Sequence, residues 1–126
     1  MHHTLVTLLG IVLGGGLLAC GNGSEADDLG IGAQCAAAED CDVDTDQVCL
    51  SFKGGYCGLM GCTSDLDCVE DSACVAHTDG TNYCFRTCSD KPQCNANRDV
   101  ENESNCSASV DFVDGAKSRK ACVPPS

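Results

Sequence analysis

A small, disulfide-rich, mainly β fold is predicted by this sequence of 126 residues: three tandem four-cysteine β-hairpin repeats behind a cleaved signal peptide and a flexible tether. Three observations predict it. Cysteine occurs thirteen times, and the last twelve fall into blocks of four with a recurring spacing. Core-forming residues are scarce: from Gly21 onward there are sixteen Leu, Ile, Val and Phe among 106 residues, about 15%, and no Trp anywhere. A chain so composed either stays disordered or is cross-linked, and twelve cysteines in that stretch decide for cross-linking.

The first element is the leader. Residues 5–18, LVTLLGIVLGGGLL, form an apolar run too short and too Gly-rich for a membrane span but suited to the hydrophobic region of a signal peptide over 1–19. It ends in Leu17-Leu18-Ala19-Cys20, which resembles the lipobox of bacterial prolipoproteins. That resemblance implies cleavage before Cys20, acylation of its thiol with palmitate-type chains, and anchoring to a lipid bilayer. With Gly rather than Asp at position 21, it implies the outer membrane, on the periplasmic face or the cell surface. The start Met1-His2-His3-Thr4 departs from the pattern in having no Lys or Arg. Parity agrees with the resemblance: thirteen cysteines cannot all pair within one chain, and removing Cys20 leaves twelve for six bridges. Residues 20–34 are then the lipidated cysteine and a Gly-rich, acidic, flexible linker.

Three repeats follow, over 35–61, 62–87 and 88–126, the last longer and irregular. Their cysteines are Cys35, Cys41, Cys49 and Cys57; Cys62, Cys68, Cys74 and Cys84; and Cys88, Cys94, Cys106 and Cys122. Five residues separate the first two in each block: AAAED, TSDLD and SDKPQ. Between the third and fourth lies a turn dipeptide, Lys53-Gly54, Asp79-Gly80 or Asp114-Gly115, flanked by strand formers such as Val75, Tyr83, Val110, Phe112 and Val113. A two-residue turn at Asp79-Gly80 sets Val75 opposite Cys84 and Cys74 opposite Phe85. The third and fourth cysteines then stand one place out of register, on opposite faces, and do not bond to each other. Two connectivities remain open. First-to-third with second-to-fourth is preferred over the nested alternative, giving Cys35–Cys49, Cys41–Cys57, Cys62–Cys74, Cys68–Cys84, Cys88–Cys106 and Cys94–Cys122. Each bridge is expected to contribute about 3 kcal/mol by restricting the unfolded chain.

The blocks resemble short cysteine-rich repeats of secreted and surface proteins of myxobacteria, in which a Cys, an acidic pentapeptide and a second Cys recur. More loosely they are similar to disulfide-rich modules of the Dickkopf and EB type. The resemblance implies a β-hairpin module rather than an activity, and the long intervals 95–105 and 107–121 of the third block depart from it.

Chemistry-bearing patterns are few. No two cysteines are separated by two residues, which removes the C-x-x-C redox motif and the common zinc knuckles. His77 is the single histidine after the leader and reads as a solvent-facing strand residue near a hairpin tip. Nothing resembles a nucleophile elbow. Asp42, Asp44 and Asp46 imitate the first three ligands of a calcium loop, but Gln47 replaces the required glycine and Lys53 the bidentate glutamate, so a solvated acidic turn is the preferred reading. Asn102-Glu103-Ser104 and Asn105-Cys106-Ser107 fit the N-glycosylation pattern, unmodified by default in a bacterium. Nineteen Asp and Glu against seven Lys and Arg give a formal charge of −12, which disfavours nucleic acid and bare anionic membrane. Lys117, Arg119 and Lys120 beside Phe112 form the one basic patch. The expected function is a non-enzymatic envelope or surface lipoprotein, a binding or structural module without cofactor, with a protein or glycan partner contacting the long loops of the third repeat. An inhibitor of secreted proteases and a weak calcium-binding module are the alternatives.

Overall fold

The structure, a computed structural model, describes residues 30–126; the expected signal peptide 1–19, Cys20 and the linker up to residue 29 lie outside the described residues. The remainder of that linker is not a tether. Ile31 and Ala33 are buried, the Gly32 amide donates to the Cys57 carbonyl at 2.8 Å, and the Cys57 amide donates to the Ala33 carbonyl at 3.0 Å. The expected boundary at Gln34 is therefore corrected: the two apolar side chains draw residues 31–34 into the packed body.

Among the described residues there are seven strands: β1 (Val48–Leu50), β2 (Tyr56–Met60), β3 (Ser72–Ala76), β4 (Asn82–Cys88), β5 (Asn105–Ser107), β6 (Asp111–Phe112) and β7 (Lys120–Val123). All pairings are antiparallel, in the order β1-β2-β4-β3-β6, with β7 joining β4 to β5. The long β4 is the spine. One of its edges carries β3, while β2 and then β7 share its other edge.

Strand alternation divides the side chains into two sets. Leu50, Tyr56, Ala73, Val75, Tyr83, Phe85 and Ala121 join Ile31 and Phe112 in one apolar core. The cysteines between them point the other way: Cys41 and Cys57 gather with Ala33, and Cys62, Cys74 and Cys84 form a second sulfur cluster. So few core residues suffice because four of the five Phe and Tyr meet in one place. Tyr83 stacks on Phe85 at 5.5 Å, and Phe52 and Tyr56 approach these rings edge-on.

Six disulfides close: Cys35–Cys49, Cys41–Cys57, Cys62–Cys74, Cys68–Cys84, Cys88–Cys106 and Cys94–Cys122. This is the preferred connectivity, but the register behind it is different. Cys49 stands directly opposite Cys57, Cys74 opposite Cys84 and Cys106 opposite Cys122, so the third and fourth cysteines share a face rather than occupying opposite ones. The turns are the reason. At Asp79-Gly80 the loop is Thr78-Asp79-Gly80: His77 N–H donates to Thr81 O at 3.0 Å, Gly80 N–H to His77 O at 3.0 Å, and Gly80 has φ of 88°. A three-residue loop with glycine in the left-handed position moves every pair by one place relative to a two-residue turn. The third segment departs further. Asp114-Gly115 is not the tip of a two-stranded ribbon, because β6 leaves β5 and β7 and pairs with β3, Val75 opposite Phe112.

Both bridges of a block therefore reach one face, and a helical turn delivers the other two sulfurs there. The three turns are 3-10 segments Ala38–Asp40 and Asp65–Asp67 and the short helix α1 (Lys91–Cys94). One bond recurs in all three. The residue before the second cysteine accepts the amide of the residue after the first: Asp40 from Ala36 at 2.9 Å, Asp67 from Thr63 at 2.8 Å and Gln93 from Ser89 at 2.6 Å. Acceptor side chains at this position fold the pentapeptide back on itself.

Two residues interlock the segments. The buried Tyr56 donates its hydroxyl hydrogen to Cys122 O at 2.8 Å and accepts from Arg86 N–H at 3.1 Å, so one oxygen touches all three blocks. Arg98, 8% exposed, donates to the carbonyls of Asn102 (2.7 Å), Gly55 (2.7 Å), Lys53 (2.9 Å) and Gly32 (3.3 Å), with its guanidinium 5.7 Å from the Tyr56 ring centroid. The third segment is thereby tied to the first and to the N-terminal stretch.

Candidate functional site

The chain swings from β7 to β3 between β5 and β6, and the three residues 108–110 carry it across. Ser107 Oγ accepts the Ser109 amide at 3.1 Å and starts the swing. The gap it leaves is a cleft of about 260 Å3 between the β3–β4 tip and residues 105–111. Val110 and Val123 supply apolar wall, and His77, Asn105 and Asp111 supply polar groups. Strand pairing fixes their places, with Ala76 opposite Asp111 and Asn105 opposite Val123. His77 corrects the sequence reading. It is half-buried rather than solvent-facing, because its ring packs edge-on against Phe52, Tyr83 and Phe85 at 5.6, 5.8 and 5.5 Å.

The calcium-like residues do not converge. Among the described residues, the groups whose three ligand atoms lie within 4.8 Å of one another are cysteine trios such as Cys35, Cys41 and Cys57, and every sulfur in them is in a bridge. Asp42 instead caps a turn, its Oδ1 accepting the Asp44 amide at 3.0 Å and its carbonyl accepting from Thr45 Oγ1 at 3.0 Å. Asp46 has a left-handed φ of 60°.

The basic patch is partly neutralised. Arg119 lies over the Phe112 ring at 4.6 Å and pairs with Asp65 at 2.9 Å, while Lys117 and Lys120 are exposed. Burial pushes the Asp65 carboxyl up, but the Cys74 amide and the Arg119 guanidinium more than offset it, holding the group below the usual carboxylate range. Beside the patch a polar cavity of about 410 Å3 is lined by Asp71, Arg86, Gln93 and Arg119. Of the glycosylation-pattern asparagines, Asn102 is half-buried and donates to Gln34 Oε1 at 3.1 Å, whereas Asn105 is exposed on the cleft rim.

Cys20 lies outside the described residues, and among them no helix is long and apolar enough to cross a membrane. Sequence reasoning missed Arg98 as the clamp and residues 105–111 as one wall of a cleft. The one available signal was that long stretches of the third block need a partner strand for Val110 and Phe112. No protein-family model, curated protein or solved structure matches the chain.

Proposed function

We propose that this chain is a non-enzymatic binding and structural module of the bacterial cell envelope, built from tandem four-cysteine repeats and held to the outer membrane by lipid on Cys20. Parity carries the anchor. All twelve cysteines from Cys35 to Cys122 are consumed in bridges, so the thirteenth is the one sulfur left for acylation. The recurring pentapeptide bond and the common pairing support the repeat reading. A body clamped by six bridges and by Arg98 suits display of a fixed surface. It offers no free thiol for redox work among the described residues.

The protease-inhibitor alternative draws little support from the disulfide loops. Their pentapeptides are wound into helical turns, whereas a substrate-like segment enters an active-site cleft extended. The test is metabolic labelling with palmitate in a bacterial host that processes lipoproteins, followed by alkylation of the membrane fraction under denaturing conditions. We expect label on the chain, none on Cys20→Ser, and no alkylated cysteine until reductant is added. Label retained by Cys20→Ser, or thiols reactive without reductant, would overturn the proposal.

A further inference from the structure

We propose that the cleft between the β3–β4 tip and residues 105–111 receives one alkylammonium or alkylguanidinium group, the side chain of a lysine or arginine presented by a basic peptide. The assignment rests on the binding reading above and gives it a site and a ligand class.

Size, walls and charge agree. At about 260 Å3 the cleft falls just below the range that encloses drug-sized ligands and has room for a single long side chain. Val110 and Val123, both half-buried, offer apolar contact to a methylene stem, the mode in which Lys and Arg commonly bury their aliphatic part. No Lys or Arg lines the cleft, and its formal charge is the carboxylate of Asp111.

Asp40, Asp67 and Asp79 accept hydrogen bonds within turns, and Asp65 and Asp114 accept amides from other segments. The Asp44, Asp46 and Asp71 carboxylates accept none among the described residues, but they do not line this cleft. Asp111 has neither a side-chain hydrogen bond nor an ion pair among the described residues, so its acceptor capacity faces outward unused. A net charge of −12 concentrates cations around the protein and gives an anionic ligand nothing. The site also needs little ordering. His77 is pinned by three rings, and the Asp111 backbone is held by pairing with Ala76. A preformed pocket loses less conformational freedom on binding.

The experiment titrates the oxidised, nitrogen-labelled full chain in detergent micelles with Nα-acetyl-lysine methylamide, and in parallel with its neutral norleucine analogue, following amide shifts by heteronuclear NMR. We expect saturable shifts at Ala76, His77, Ser107, Val110 and Asp111, with millimolar affinity. The lysine probe should bind about threefold or more tightly than norleucine, as befits a solvent-exposed carboxylate, and Asp111→Asn should remove that preference. Shifts absent from these amides, or equal binding of both probes, would overturn the assignment. If a basic peptide binds the chain equally well with Asp111→Asn, the binding-module reading stands and the cleft is not its site.

Discussion

A buried guanidinium with no carboxylate beside it dominates at the scale of single residues. Arg98 satisfies its donors with backbone carbonyls from three separate stretches, and burial lowers its tendency to hold a proton from the usual arginine value. Only the planar fork can reach several carbonyls at once, so lysine is not a conservative replacement. Arg98→Lys should cost about 3 kcal/mol, read from the midpoint of chemical denaturation, because several carbonyls lose a charged donor. Tyr56 titrates in the opposite sense to an acid-sensitive group. Burial raises its hydroxyl pKa well above the ordinary 10.0, against the lowering pull of the Arg86 amide bond. With the folded value above the unfolded one, its contribution is complete below about pH 10 and is lost as pH rises beyond that. Tyr56→Phe should therefore destabilise by roughly 1 to 2 kcal/mol at neutral pH, and lose part of the alkaline unfolding seen by circular dichroism. Neither residue announces itself in the sequence. Arg98 sits in the polar run NANRDVENES, where nothing marks an arginine as buried, and Tyr56 looks like any strand tyrosine.

Individual elements show which part of the fold can be read from spacing. The five-residue interval between first and second cysteines was legible, and the preferred pairing is the one observed, but the reason for preferring it was not: it assumed a loop stapled to both faces of the ribbon, whereas both bridges reach one face. Register was not legible. Asp-Gly serves equally as a two-residue turn or as the last two residues of a three-residue loop, and the difference shifts Cys74 from opposite Phe85 to opposite Cys84. The correct register could have been found from the alternation itself: Cys49 and Cys57, and likewise Cys74 and Cys84, must leave the face that Leu50, Tyr56, Val75 and Tyr83 share. Gly80→Ala tests the loop type. The added Cβ meets nothing within 4 Å, so its cost is the left-handed backbone alone, about 1 kcal/mol by thermal denaturation, with the Cys74–Cys84 register unchanged by NMR. Gln93→Ala tests the recurring pentapeptide bond. Loss of the acceptor for the Ser89 amide should cost about 1 kcal/mol and loosen α1, seen as faster amide exchange at Ser89.

Across the whole molecule, the three blocks lie against one another through β2–β4 and β4–β7 pairing, and their side chains fill one core. A chain ending at residue 87 would lack Phe112, Ala121, the Arg98 clamp and the carbonyl that Tyr56 bonds. Even with its four bridges closed, such a fragment should be readily proteolysed and give poorly dispersed NMR spectra. The full chain should unfold in one transition. The short joints 58–61 and 85–87 predict that neighbouring blocks touch, but a core shared by all three is invisible in cysteine spacing. The interlock also has an optical consequence. There is no tryptophan, and Tyr56 and Tyr83, the chain's two tyrosines, sit in the same ring cluster. Near-ultraviolet dichroism and phenolic emission thus report on the joining of all three blocks, an intrinsic chromophore that registers assembly without any added dye.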